Sequence, residues 1–145
     1  MYKTIVVGTD GSTTADKAVA AAAGLAQLCG AKLHVVTAFK SSSLGMASAS
    51  GAPLVDTGAE MAIRQEAADE VGSKALSSWA KGIEAEAHAV VGDAVTAILE
   101  VAEAVNADLV VVGSKGMHGA RRVLGSVPNS VSHGAGCAVL IVKTD

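Results

Sequence analysis

Short, nearly continuous apolar runs recur along the chain: TIVVG at Thr4–Gly8, LHVVTAF at Leu33–Phe39, AHAVV at Ala87–Val91, DLVVVG at Asp108–Gly113 and AVLIVK at Ala138–Lys143. Runs of this length, rich in Val, Leu and Ile, read as strands buried on both faces of a sheet. Between them the apolar positions fall at helical spacing. Ser12 or Thr13 caps a helix carrying Ala15, Val19, Ala22, Leu25 and Leu28, and Gly30 stops it. Thr57-Gly-Ala-Glu60 has the form of a capping box, and Met61, Ala68, Val71, Ala75 and Trp79 follow it as one stripe. Asp93 caps a third helix with Val95, Ile98, Leu99, Ala102 and Val105 facing inward. A fourth starts near Ser126, where Pro128 is tolerated in a first turn.

Strands and helices in strict alternation predict right-handed crossovers. The expected fold class is α/β: a single doubly wound, five-stranded parallel sheet with helices on both faces, Rossmann-like, formed by one domain over residues 1–145. Strand order is not legible from one sequence, but the order 3-2-1-4-5 places strands 1 and 4 side by side where the winding reverses. Ligands of such sheets sit there, outside the carboxyl ends of the strands. Two unusual loops follow those two strands, Thr9-Asp10-Gly11-Ser12 and Gly113-Ser-Lys-Gly116. Residues 41–55 are uncharged and rich in Ser, Gly and Ala; leaving strand 2 beside strand 1, they read either as a lid over the same site or as a passive connection.

Composition narrows the core and the partners. Half of the 145 residues are hydrophobic, yet there is one Phe, one Tyr and one Trp, so the core is built from Val, Ile, Leu and Ala in close helix-on-sheet layers. A net charge of −3 gives no global positive field for nucleic acid or an anionic membrane surface. That total hides an asymmetry: Leu109 to Thr144 contains no acid, while Lys115, Arg121, Arg122 and Lys143 lie within it. A local patch for a small anion is compatible with the acidic whole. Cys29 and Cys137 are far apart with no CxxC spacing, which reads as reduced, structural thiols. With neither a signal-type start nor an apolar run of membrane length, the expectation is a soluble, cytoplasmic protein.

The segment from Gly113 to Pro128 carries the strongest chemistry. Gly113 and Gly116 permit backbone conformations that aim successive amides into a concavity, and Gly125-Ser126 places free amides and a hydroxyl at a helix start; both arrangements bind phosphate. Glycines also merely turn a chain, so this signal alone leaves both readings standing. Asp10 can accept hydrogen bonds from a ribose hydroxyl or an adenine amino group, or close an Asx turn over Gly11-Ser12. His34 and His88 read as packed or edge histidines, and His118 and His133 fall in the basic segment. No pair has metal-ligand spacing, so no protein-bound metal is expected. The P-loop pattern GxxxxGK[ST] and the dinucleotide pattern GxGxxG are both absent.

The start KTIVVGTDGS, the LHVV strand, VVGDAVTAIL and the stretch ADLVVVGSKGMHGARRVLGSVPNSVSHGAGCAVLIVK together resemble the universal stress protein family over essentially the whole chain. The resemblance implies its ATP-binding type. There the Asp after strand 1 contacts the nucleoside, the backbone of the LHV segment contacts adenine, and a Gly-x2-Gly-x9-Gly-Ser loop holds ribose and phosphates. Carried over by position, these roles fall on Thr9 and Asp10, on Val35, and on Gly113, Gly116, Gly125, Ser126 and Val127, the last through its amide. Between Gly116 and Gly125 stand eight residues, one fewer than the usual pattern.

The expected function is therefore regulatory binding of ATP, with magnesium held through the phosphates, no catalytic residues and no dedicated turnover. Phosphoryl transfer needs a positioned base and metal-holding acids, and the basic loop has no acid. The alternatives are a cyclic AMP-binding member of the family, a slow ATP-hydrolysing enzyme of the same fold, whose SGGxDS loop is replaced here by TDGSTT, and a nucleotide-free dimerisation module. The last strand, Ala138–Lys143, is an uncharged edge up to Lys143, which predicts a homodimer paired through it.

Overall fold

The computed structural model describes residues 1–41, 58–114 and 125–144. Its elements are β1 (Thr4–Gly8), α1 (Thr13–Cys29), β2 (Lys32–Phe39), α2 (Gly58–Trp79), β3 (Ala85–Val91), α3 (Ala94–Ala104), β4 (Leu109–Gly113), α4 (Ser126–Gly134) and β5 (Ala138–Val142). The five strands are parallel and ordered β3-β2-β1-β4-β5, as the winding argument anticipated. Ile5 stands between Leu33 on β2 and Leu109 on β4, which sets the register at the centre.

Alternation along the strands sends side chains into two apolar layers. Ile5, Val7, Leu33, Val35, Leu109 and Val111 face α1 and α2, where Ala18, Val19, Ala22, Ala26 and Ala75 receive them. Val6, Val36, Val110 and Val112 face α3 and α4, against Ala97, Ile98, Val101 and Val131. Ile5, Val6, Val7, Val35, Val110 and Val111 have no exposed surface. Each such side chain contributes roughly 1.5–3 kcal/mol relative to an exposed one. Alanine on the helix side keeps the layers close. At Gly72 of α2 an added Cβ would stand 2.8 Å from the Ala87 Cβ.

The caps are those the sequence indicated. Ser12 accepts from the Ala15 amide at the start of α1, and Gly30 ends that helix in the left-handed region at φ 65°. Asp93 accepts from the Thr96 amide at 3.0 Å, which holds its carboxyl below the ordinary range. Thr57, the expected first residue of the capping box, lies outside the described residues.

Several boundaries and burials differ from expectation. β3 begins at Ala85, because Ala85 pairs with Leu33 and Glu86 with His34 although an acid interrupts the apolar run. β4 begins at Leu109. Asp108 turns its carboxylate onto the chain start instead, accepting from the Lys3 amide at 2.8 Å and the Thr4 amide at 3.2 Å. β5 stops at Val142, short of Lys143. Leu28 is 83% exposed: the buried stripe runs Ala18, Val19, Ala22, Ala26 and on to Cys29, and Leu28 falls off it. Trp79 is 42% exposed at the last residue of α2, beyond Leu76, which does pack on the core.

Two of the helix glycines make opposite predictions. Gly24 of α1 has nothing within 4 Å of an added Cβ, so Gly24→Ala should stabilise the fold by about 0.5–1 kcal/mol. Gly72→Val should cost about 1–3 kcal/mol, since its Cβ would already crowd the Ala87 Cβ at 2.8 Å. Urea unfolding of the two variants beside the unaltered chain checks both signs.

Candidate functional site

A cleft of about 580 Å³ opens at the carboxyl ends of β1 and β4, where the winding of the sheet reverses. Gly8, Thr9 and Asp10 form one lip, Val36 and Ala38 of β2 a second wall, and Val112 and Gly113 the floor beside β4. The helix starts close it: Ser12, Thr14 and Ala15 from α1, Ala94 and Ile98 from α3, and Gly125, Ser126, Val127 and Pro128 from α4. Thr144 completes the rim. The volume falls in the usual range for small-molecule sites, and the lining is mostly apolar with a few hydroxyls and one carboxylate among the described residues.

The β1–α1 turn is rigid by local bonding. Thr9 is buried; its amide donates to the Val36 carbonyl at 2.9 Å, and its Oγ1 accepts from the Gly11 amide at 3.1 Å. Asp10 is exposed and its Oδ1 accepts from the Ser12 amide at 2.9 Å, so the Asx turn does form. Gly11 has φ 77°, a conformation that demands glycine. The turn thus holds Asp10 at the lip of the cleft, its Oδ1 engaged by the Ser12 amide.

At the other lip, the role expected of Gly113 changes. Its φ is not positive; it is the last residue of β4, and what matters is close approach, since an added Cβ would stand 3.0 Å from the Thr144 Cγ2. Gly125 is the buried N-cap of α4 and offers no side-chain cap. The Asn129 amide bonds to the Gly125 carbonyl, and Pro128 has no N–H, so Ser126 and Val127 carry the amides of this first turn that have no intrahelical acceptor. Both residues line the cleft. A helix start with two outward amides and its positive dipole end suits an anion.

Of the residues expected at the site, Thr9, Asp10, Gly113, Gly125, Ser126 and Val127 line this one cleft. Val35, expected to act through its backbone, is not among the lining residues; its side chain is fully buried in the layer under α1 and α2, and Val36, on the opposite face, forms the wall. Gly116 lies outside the described residues, as do Lys115, His118, Arg121 and Arg122 and nearly all of 41–55. Thr144 had no signal in the sequence. Its amide donates to the Ser114 Oγ at 3.1 Å and its carbonyl accepts from the Lys17 Nζ at 3.0 Å, while the Ser114 amide ties the same strand end through the Val142 carbonyl at 2.8 Å.

A parallel sheet with a cleft at its switch point, a carboxylate on one lip and a helix start on the other defines a doubly wound α/β protein with the usual place for a small ligand. The family model described as "Universal stress protein family" matches residues 1–143, and the chain belongs to that family. Universal stress protein Rv1636 of Mycobacterium tuberculosis is 37% identical, with 99% of this chain and 97% of that protein covered. A universal stress protein whose crystal structure is a complex with cAMP is 34% identical, with 99% and 98% of the two chains covered and a TM-score of 0.69. The universal stress protein from Archaeoglobus fulgidus in complex with dAMP is 26% identical, covers 98% of each chain and has a TM-score of 0.60.

Ser114→Ala should destabilise the protein by about 1–3 kcal/mol, because it leaves the buried Thr144 amide without its acceptor. Urea unfolding measures this, and a variant as stable as the parent would show that the rim does not depend on that bond.

Proposed function

We propose that this chain is an adenine-nucleotide-binding regulatory protein, taking ATP in the switch-point cleft without dedicated turnover. The observation that carries the reading is the opposition of Asp10 on the β1 lip and the Ser126 and Val127 amides on the α4 lip across one cleft. Adenosine fits between Val36, Ala38 and Ile98, with a ribose hydroxyl donating to Asp10. The phosphates run toward Gly125 and Ser126, and magnesium is held through them. The two relatives whose structures contain cAMP and dAMP support an adenine nucleotide in a fold of this kind. Binding without turnover rests on the lining: Asp10 is the one carboxylate among its described residues, and it sits on the lip opposite the helix start that takes the phosphates.

Cyclic AMP is the second reading, favoured by the 34% identical relative that was solved with it. Adenine and ribose contacts are common to both ligands, so the phosphates decide. Two additional charge-assisted contacts of about 1 kcal/mol each favour ATP by roughly tenfold to thirtyfold. Calorimetric titration should show ATP binding more tightly than cAMP. Ser126→Asp, which sets a fixed anion on the helix start, should weaken ATP by at least about tenfold while adenosine stays within about threefold. Equal losses for ATP and adenosine would mean that the α4 start does not read phosphate, and tighter binding of cAMP would replace ATP with it.

We also propose one domain over residues 1–145, working in the cytoplasm as a homodimer through β5. Among the described residues that strand pairs with β4 alone, and Leu140 on it is 37% exposed. A two-fold partner strand covers the edge. Leu140→Lys should convert a dimer into a monomer by light scattering without unfolding it. Ile141 is unsuitable for this test, because it packs on the layer under α3 and α4. A parent chain that is already monomeric at micromolar concentration would refute the dimer.

A further inference from the structure

The sheet edge far from β5 assembles a group that sequence spacing gave no reason to expect. His34 on β2 and Glu86 on β3 are register partners, and His88 is two residues further along β3 on the same face. The His34 Nδ1 lies 2.8 Å from the His88 Nε2 and 4.0 Å from the Glu86 Oε2. One ligand atom from each of the three residues falls within 4.8 Å of the other two. All three stand on hydrogen-bonded strands, so the ladder fixes their separation. His34 is 4% exposed, His88 half-buried, and the Glu86 side chain 53% exposed, which leaves a solvent path on one side.

We propose that His34, Glu86 and His88 form a binding site for a zinc-type divalent cation, separate from the nucleotide cleft. Two imidazole nitrogens and one carboxylate oxygen are a donor set that suits zinc and its borderline neighbours and disfavours magnesium or calcium, which take oxygen ligands. Metal–nitrogen bonds of about 2.0–2.1 Å at tetrahedral or octahedral angles put two nitrogens about 3–3.4 Å apart, so the rings separate by less than about 1 Å to admit the ion. Without metal, one ring donates to the other, so one of the two facing nitrogens carries no proton. On binding, the proton between the rings moves to the outer nitrogen of the same imidazole, and water fills the remaining position.

Lys32 is the built-in competitor. Its Nζ lies 3.2 Å from the Glu86 Oε2 and 3.4 Å from the Glu84 Oε1. Zinc draws Glu86 away from the ammonium, which retains Glu84. The cation therefore sets the affinity without supplying a ligand.

The test is calorimetric titration of untagged, nucleotide-free protein with zinc chloride at neutral pH, with cobalt(II) absorption as a second readout. The expected result is one ion per chain, with a cobalt spectrum free of thiolate charge transfer because neither cysteine takes part. His88→Gln should weaken binding by more than about tenfold, the smallest loss that disturbing even an outer-shell partner brings. Lys32→Met should tighten it, an outcome that a purely structural histidine pair would not produce. His88 is the chosen ligand variant because His34 is buried, and circular dichroism confirms that the variant folds. Failure of the parent chain to bind zinc, or unchanged affinity in folded His88→Gln, would overturn the site whatever the cleft binds.

Discussion

The side chains of β1 alternate between two apolar layers, Ile5 and Val7 into one and Val6 into the other, and none of the three is exposed. A strand can be buried on both faces only if helices cover both, and the chain supplies α1 and α2 to one side and α3 and α4 to the other. That demand fixes the reversal of winding between β1 and β4. The reversal leaves a gap at the strand ends that no crossover fills. The cleft follows from the layer arrangement; the loops only furnish its lips.

Those lips have different physical origins. The β1 lip is a local device, in which Thr9 and Asp10 each accept from an amide two residues on. The β4 lip is assembled from a distance. Gly113 gives way to Thr144, Thr144 is tied to Ser114 and Lys17, and the α4 start arrives from beyond the basic segment. Charge follows the same division, with a carboxylate on the local lip and helix-start amides on the other.

What was legible in the sequence was whatever a few consecutive residues determine. Ser12, Asp93 and Gly30 announce helix ends because capping is chemistry between near neighbours. The apolar runs announce strands because both faces are buried. Strand parity was harder: the LHVV run shows that something is buried without saying that Val36, and not Val35, faces the cleft. Thr144 and the His34–His88 pair were out of reach altogether. The two histidines are 54 residues apart, and parallel pairing of β2 with β3 is what joins them. Spacing rules for metal ligands describe ligands on one turn or one helix and are silent about neighbours across a ladder. Leu28 failed for a different reason. The helical stripe is narrow when its buried members are alanines, and a large side chain just off it meets water.

The order β3-β2-β1-β4-β5 has a consequence in time. During synthesis β1 emerges first and acquires β2 as soon as α1 has folded back, but its other neighbour is β4, whose Leu109 pairs with Ile5 across most of the chain. Until that segment leaves the ribosome, β1 presents a bare apolar edge, and the cleft has one wall. Pairings of such long sequence separation are slow and leave the nascent strand open to wrong partners. The same central position that shelters β1 so completely in the finished fold makes it the strand with longest to wait.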